Sequence, residues 1–500
     1  MRTLWNTSRR CLSGGSLFPQ RACLPYRLPR PSSACLQPCT PRRALLTLAI
    51  ETSCDDTCVA ILEKRDSSFI RLHFNEKITS DNRTFRGVHP LAAVVSHTEN
   101  LAPLIQKALR SLPSPADVRP SQDVNSHGQA IFVDGRPRLR PDFISVTRGP
   151  GMASNLATGL NHAKGLAVAW DVPLVAVNHM QAHALTPRLV SALEVQKLAC
   201  KSKDEEDASS QKSISPQFPF LSLLVSGGHT MLVHSKSLND HAILAESMNI
   251  AVGDMIDKCA RLIVPSETLS AEGSDSGAYG PIFEEFAFPG SRESVSYDYN
   301  YTPPATRAAE IKTFDSGRGW SLTPPLHLKG MGEEAASQFE FAGLGGQAQK
   351  LMIIYPDMDI ESRRVLARAT MTLVFEHLTT RLVYALLANN DQSRKRTRGQ
   401  DRIRTVVLSG GVASNKFLRH VVRKMLDARG LADIEVIAPP VSLCTDNAAM
   451  IAWTGMEMYE NGWRSDLDIL TLRKWPLDPT AEGGGILGAS GWYQVSVPKK

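Results

Sequence analysis

Two segments of the chain share one plan of apolar and polar positions. Residues 44–63 (ALLTLAIETSCDDTCVAILE) read as an apolar strand, a polar turn and a second apolar strand, and residues 218–234 (FPFLSLLVSGGHTMLVH) repeat that plan. Apolar and β-branched residues flank each turn at strand spacing. A unit that recurs after about 175 residues predicts duplicated lobes, each presenting one turn to a shared cleft.

Between and after these hairpins the period lengthens to that of helices. HTENLAPLIQKALRSL (97–112) sets Leu101, Leu104, Ile105, Ala108 and Leu109 on one face. Residues 153–170 form a second helix, ending in Ala163, Leu166, Ala167 and Trp170, and Pro173 stops the chain before a strand, LVAV (174–177). RRVLARATMTLVFEHLTTRLVYALLA (363–388) reads as a long amphipathic helix. Three stretches read as surface insertions: the charged, Ser-rich 201–217, the Gly-, Ser-, Tyr-, Thr- and Pro-rich 288–320, and the polar, partly basic 389–402. The first two are expected as solvated loops. The cluster Arg394, Lys395, Arg396 and Arg398 in the third is either another such loop or a contact to RNA phosphates.

Five hundred residues exceed one ordinary core, which again favours two lobes. With 42% apolar and 21% charged residues the composition is that of a soluble globular protein, and no apolar run approaches the ~20 residues that span a bilayer, so no membrane insertion is expected. The first 43 residues stand apart: they hold eight arginines and no acid, and are rich in Ser, Pro and Leu. That is the composition of a mitochondrial transit peptide, and it predicts a matrix location. Of the formal net charge of +6, those arginines carry +8, which leaves about −2 for the remainder. Any nucleic-acid binding must then use a local basic patch. Of nine cysteines, Cys54, Cys58, Cys200, Cys259 and Cys444 lie beyond the presequence; they are odd in number and lack two-residue redox or zinc-ribbon spacing.

Small polar turns after apolar strands carry the candidate chemistry: ETSCDDT (51–57), RGPG (148–151), SGG (226–228) and SGG (409–411). Glycine admits close approach of a ligand, and successive exposed amides cradle anions. In LSGGVASN (408–415) the strand RTVVL leads into a helix whose start directs positive partial charge outward. The phosphate-loop lysine motif is absent, and Asp55 and Asp56 repel phosphate unless a cation intervenes. NHMQAH (178–183) spaces His179 and His183 one helical turn apart, which suits metal ligation, though such pairs also occur as plain core or surface residues. A third ligand is available in Asp446 of SLCTDNAAM, whose other reading is a helix N-cap. Met180 stands where a HExxH protease carries its glutamate.

Taken together, ETSCDDT, RGPG, NHMQAH, LLVSGGHT, GDMIDK, SGGVASN and CTDNAAM resemble, in order and over residues 46–488, the family that transfers threonylcarbamoyl to the adenosine beside the tRNA anticodon. The presequence makes the chain similar to its mitochondrial member. The resemblance implies an α/β, actin/Hsp70-like two-lobed fold with duplicated mixed five-stranded sheets flanked by helices. Lobe I is expected at 44–177, with residues from about 447 to 495 returning to it, and lobe II at 178–446. The family's metal ligands fall on His179, His183 and Asp446, holding one divalent ion per subunit, zinc or iron. Its substrate contacts fall on Leu224, Val225, Ser226, Gly227, Gly228, Asp257, Gly280, Glu284, Ser414 and Asn415.

The implied reaction moves the threonylcarbamoyl group from threonylcarbamoyl-AMP to N6 of the adenosine 3′ to the anticodon in mitochondrial tRNAs reading ANN codons. The implied assembly is a homodimer. No general base stands out; Glu51, Asp55, Asp56 and His97 are the candidates. The chain departs from the family at Ile256, usually Phe, at Ala278-Tyr279-Gly280-Pro281, usually Pro-Gly-Gly-Pro, and at Ala448, often Gly. Competing readings are a metalloprotease, a non-catalytic nucleotide-binding protein of the actin-like fold, and a sugar kinase of that fold.

Overall fold

Strands β1 (Leu45–Glu51), β2 (Asp56–Lys64) and β3 (Ile70–Thr79) form an antiparallel meander. A short hairpin, β4 (Ala130–Val133) and β5 (Arg136–Leu139), precedes β6 (Phe143–Gly149) and β7 (Leu174–Asn178), which add in parallel on the other side of β1. The second sheet repeats this scheme. Strands β8 (Phe220–Val225), β9 (Thr230–Ser235) and β10 (His241–Ser247) make the meander. After the hairpin β11 (Phe314–Asp315) and β12 (Ser321–Leu322) and the edge strand β13 (Gln338–Phe339), β14 (Thr405–Ser409) and β15 (Glu435–Ile437) add in parallel to β8. Finally β16 (Trp463–Ser465) and β17 (Trp492–Gln494) extend the first sheet beyond β7. The orders β3-β2-β1-β6-β7 and β10-β9-β8-β14-β15 are therefore one topology used twice. Edge strands bring the expected five up to seven and six.

This computed structural model describes residues 44–65, 69–82, 88–115, 130–201, 214–271, 279–326, 336–395 and 402–496. The expected presequence 1–43, residues 202–213 of the first insertion and 396–401 of the basic run lie outside them.

Both sheets are covered on both faces, which is why their strands read as continuous apolar runs rather than alternating ones. Alternate residues nevertheless part company. Leu46, Leu48 and Ile50 of β1 face the helices Pro90–Leu109 and Ala153–Trp170, whereas Ala49, with Phe143, Val175 and Val177, faces the opposite side. There the helices His179–Lys201 and Ala448–Glu460 pack together and also meet Phe220 and Val407 of the second sheet. Leu221, Leu223, Val406 and Leu408 point to the far side of the second sheet, into the core shared with helices Val252–Ile263, Ala342–Ile354, Ile360–Lys395 and Lys416–Ala428. The order of layers is helices, sheet, a central helix pair, sheet, helices. Among the described residues no helix is long and apolar enough to cross a membrane.

One insertion departs from its expected solvated state. Within 288–320, Phe288 and Trp320 are buried and Tyr297, Tyr299 and Tyr301 pack on the second core. Apolar aromatic area removed from water outweighs the polar composition of the segment.

The carboxyl ends of β1, β6, β7, β8 and β14 carry the turns ETSCDDT, RGPG, NHMQAH and the two SGG pairs, the edge at which open α/β sheets place their ligands. Glycines bring these turns together. A Cβ on Gly410, which has φ +94°, would lie 2.4 Å from the Val225 carbonyl oxygen, one on Gly253 2.7 Å from that of Ser226, and one on Gly151 2.7 Å from that of Ser53. Gly227, Gly228 and Gly411 have nothing within 4 Å and stay open.

Helix Ala448–Glu460 lies close on the first sheet because Gly455 has no side chain: a Cβ there would sit 2.2 Å from Ser145 Oγ. Gly455→Ala is therefore expected to lower unfolding free energy by about 1–3 kcal/mol in denaturant titration. An unchanged midpoint would contradict this packing.

Candidate metal centre and its surroundings

β7 ends at Asn178, whose Oδ1 accepts from the amides of Met180 (3.0 Å) and Gln181 (3.1 Å) and so starts the helix His179–Lys201. His179 and His183 then stack one turn apart, their rings edge-on with centroids 4.7 Å apart. Asp446 arrives from the other end of the sequence. The helix that follows it is capped by Asn447, whose Oδ1 accepts from Met450 N at 3.0 Å. Asp446 is therefore not the cap, and its carboxylate turns to the imidazoles.

His183 Nε2 lies 3.0 Å from Asp446 Oδ1 and 3.2 Å from His179 Nε2, and His179 Nε2 lies 3.5 Å from Asp446 Oδ1. These three edges suit one cation: with ligand bonds of about 2.1 Å they subtend about 90–115° at a common centre. The donor set, two imidazoles and a carboxylate with no thiolate, fits a divalent ion such as zinc or iron(II).

Behind His179 stands Glu51, at the end of β1. Its Oε2 lies 3.0 Å from His179 Nδ1 and also accepts from Thr147 Oγ1, and its Oε1 accepts from the Ser53 amide. Ser53 Oγ lies 3.2 Å from the same Nδ1. A carboxylate on the far nitrogen fixes the tautomer that presents Nε2 to a metal. By contrast His183 Nδ1 is buried with no partner among the described residues.

Burial alone would lower the pKa of His179, but Asp446 and Glu51 outweigh it and hold the imidazole well above its usual range. Burial would likewise raise Asp446 and Glu51, and the His179 charge reverses both; Asp446 falls well below the ordinary carboxylate range. Two ionised carboxylates facing one imidazolium leave a net charge of −1. A divalent cation over two neutral imidazoles brings the sum to zero, so the ion takes over the role of that proton.

The second sheet supplies the rest of the site. Ser409 Oγ, at the end of β14, donates to the His183 carbonyl at 3.0 Å, and Gly410 touches Val225. Past Leu224 and Val225, the turn Ser226–His229 closes on itself: Ser226 Oγ accepts from the amides of Gly228 (3.3 Å) and His229 (3.0 Å). His179, His183 and Asp446 all act electrostatically on His229, and burial is the main cause of its lowered pKa. The turn thus borders the triad, which makes His229 a neighbour that the sequence reading passed over.

Asp257 takes the amide of Tyr279 at 3.2 Å and, with it, that of Gly280, and burial pushes its carboxyl up to about 6. Glu284 Oε1 accepts from Phe417 N at 2.9 Å. Ser414 Oγ donates to Gly411 O at 2.6 Å, and Asn415 Oδ1 caps the helix Lys416–Ala428 through Leu418 N at 2.9 Å. These two side chains therefore build their own turn, and the carboxamide nitrogen of Asn415 and the local backbone are left to donate to a ligand.

The base candidates separate clearly. His97 has both ring nitrogens engaged, by Thr57 Oγ1 (2.7 Å) and the Cys54 carbonyl (3.0 Å), so it supports the ETSCDDT turn from within. Asp56 pairs with Lys77 at 2.7 Å and accepts from Thr79 Oγ1 across β2 and β3. Both oxygens of Glu51 are in use. Asp55 is the least committed, with Asn82 at 3.3 Å and the Cys54 thiol as its side-chain partners. Met180, in the protease-base position, is buried beside Leu224, so the metalloprotease reading has no base.

A profile of the TsaD family, tRNA N6-adenosine threonylcarbamoyltransferase, matches residues 139–197 and 206–453. A mitochondrial tRNA N6-adenosine threonylcarbamoyltransferase from Schizosaccharomyces pombe is 33% identical over 461 residues, covering 90% of this chain and 89% of that protein. A tRNA N6-adenosine threonylcarbamoyltransferase from Brucella ovis is 30% identical over 437 residues, covering 86% of this chain and 95% of its own. Among solved structures, HypF from T. kodakarensis aligns with 83% of this chain and 47% of its own at 12% identity and a TM-score of 0.38, too weak a likeness to add to these. With a profile spanning more than half the chain and relatives aligned nearly end to end, the chain belongs to the tRNA N6-adenosine threonylcarbamoyltransferase family.

Proposed function

We propose that this protein transfers the threonylcarbamoyl group from threonylcarbamoyl-AMP to N6 of the adenosine 3′ to the anticodon in mitochondrial tRNAs reading ANN codons. The observation that carries this reading is the convergence of His179, His183 and Asp446, backed by Glu51 and bordered by the Leu224–Gly228 turn.

In the reaction N6 attacks the carbamoyl carbon, the bond from that carbon to the AMP phosphate oxygen breaks, AMP departs, and N6 gives up a proton. His179, His183 and Asp446 would hold a divalent ion, zinc or iron, which would supply Lewis acidity for gathering the threonyl end and polarising the acyl group. Glu51 orients His179. The open backbone at Gly227, Gly228 and Gly411 receives the phosphate, and the carboxylates of Asp257 and Glu284, as acceptors, suit ribose hydroxyls. Because AMP is a good leaving group, alignment supplies much of the acceleration. Asp55, at the mouth of the ETSCDDT turn, is the candidate proton acceptor.

The proposal extends to a homodimer in the mitochondrial matrix, with residues 1–43 as the removed address. An apolar row on and beside the helix Pro90–Leu109 supports the dimer: Val88 (48% exposed), Leu91 (70%) and Val95 (54%) follow helical spacing and face outward.

His183→Ala and Asp446→Ala are each expected to lose the bound ion and at least about 100-fold in transfer while keeping the fold, and Glu51→Gln to weaken ion affinity about 10–100-fold. Elemental analysis with single-turnover assays checks this; full activity in ion-free variants would remove the metal from the mechanism. Protons compete with the ion for His179, whose ion-free pKa is raised, so occupancy should fall as pH drops from about 8 to 5, starting above the usual histidine range. Constant occupancy across that window in equilibrium dialysis would contradict this site. Given threonylcarbamoyl-AMP, a chain of residues 44–500 should convert adenosine in unmodified tRNA, as read by nucleoside mass spectrometry. Absence of product would defeat the reading.

A further inference from the structure

Part of the 288–320 insertion is built into the wall that carries Glu284. Tyr297, Tyr299 and Tyr301 alternate in sequence, and all three rings pack on the second core, with Asn300 between the last two at φ +47°. The Tyr299 ring stands edge-on to Phe288 with centroids 4.9 Å apart, and lies 5.0 Å from Phe417 and 5.1 Å from His420. Lys416 fastens the start of the segment: its Nζ donates to the carbonyls of Ser291 (3.0 Å), Arg292 (2.8 Å) and Ser294 (3.0 Å). The segment is thereby tied to the first residues of the helix that follows Ser414 and Asn415.

Glu284 sits between these parts. Its Oε1 accepts from the Phe417 amide at 2.9 Å on one side and from the Tyr299 hydroxyl at 3.3 Å on the other. A glutamate ends in a broad, weakly preferred torsion, so donors rather than rotamer preference must set the plane of its carboxylate. With Oε1 held from two sides, Oε2 has a fixed direction in which to accept.

We infer that Tyr299 is a positioning residue that sets the Glu284 carboxylate to receive a hydroxyl of the adenylate ribose. This rests on the proposed function, in which Glu284 meets the nucleotide. The charges and donors around the pair are few. Lys416 and its amide, the Phe417 amide and Tyr299 face Glu284, while Tyr297 and Glu285 act on the Tyr299 hydroxyl and His420 lies against its ring. Burial raises the Glu284 pKa, and the Phe417 amide, the Tyr299 hydroxyl and Lys416 oppose that rise. Removing the hydroxyl lets the pKa climb further, which costs both the orientation and the ionisation of the acceptor.

The test uses the chain of residues 44–500, with AMP as the binding probe and threonylcarbamoyl-AMP as substrate. Tyr299→Phe keeps the ring and its packing. It is expected to weaken AMP binding and raise KM by about 3–10-fold with kcat changed less than about 2-fold, and to move the acid limb of AMP binding to higher pH. Tyr301→Phe is the control in the same stack: its hydroxyl reaches Glu376 Oε1 at 3.0 Å instead, and it should leave AMP affinity unchanged. On a Glu284→Gln background, Tyr299→Phe should add little further loss. Wild-type AMP affinity in Tyr299→Phe, a loss confined to kcat, an equal loss in Tyr301→Phe, or additive effects in the double variant would each overturn the inference while transfer by the parent chain left the proposed function standing. A parent chain that neither binds AMP nor transfers would overturn both.

Discussion

The buried Glu51, His179 and His183 and the half-buried Asp446 form one chain of hydrogen-bond contacts where the two sheets meet, and most of the architecture follows from holding them there. Taking such groups out of water is costly unless their charges are matched and their remaining lone pairs are filled. Here Thr147 and the Ser53 amide satisfy Glu51, Asn447 takes the capping role that would otherwise fall to Asp446, and Ser409 ties the histidine helix to the second sheet. With both imidazoles neutral, what is left over is two units of negative charge and three converging lone pairs. That residue of unmet electrostatics is what suits a divalent cation.

Duplication explains how elements so distant in sequence converge. Each sheet turns its parallel strands the same way, so both hairpin turns, ETSCDDT and SGGH, come to the same edge. Glycines at 151, 253 and 410 then let the loops approach closer than any side chain would permit. Loop contact and ligand contact thus divide among the glycines: some hold the turns against one another, and Gly227, Gly228 and Gly411 keep the backbone open.

Much of this was legible in the sequence, and the physical reasons are specific. The hairpins at 44–63 and 218–234 declared themselves because strands covered on both faces need unbroken apolar runs. The His179–His183 pair was visible from helical spacing, and Asp446 only as an alternative to a cap; the choice became clear once Asn447 was seen to fill that role. Tertiary pairings with no local trace were not legible. Nothing in the sequence links Thr147 to Glu51, His97 to Cys54, or Glu284 to the Phe417 amide. The polar composition of 288–320 pointed to solvent, yet three alternating tyrosines pack their rings on the second core, and the hydroxyls of Tyr299 and Tyr301 are paired with Glu284 and Glu376. Extra edge strands β13, β16 and β17 escaped notice because two or three residues carry no period.

The central claim is that one cation is held by two imidazoles and one carboxylate. X-ray absorption at the metal edge of the purified protein tests it most directly. The account expects two histidine nitrogens, recognisable by imidazole multiple scattering, and oxygen ligands at about 2.0–2.2 Å. Sulfur in the first shell, or a spectrum without imidazole, would contradict it.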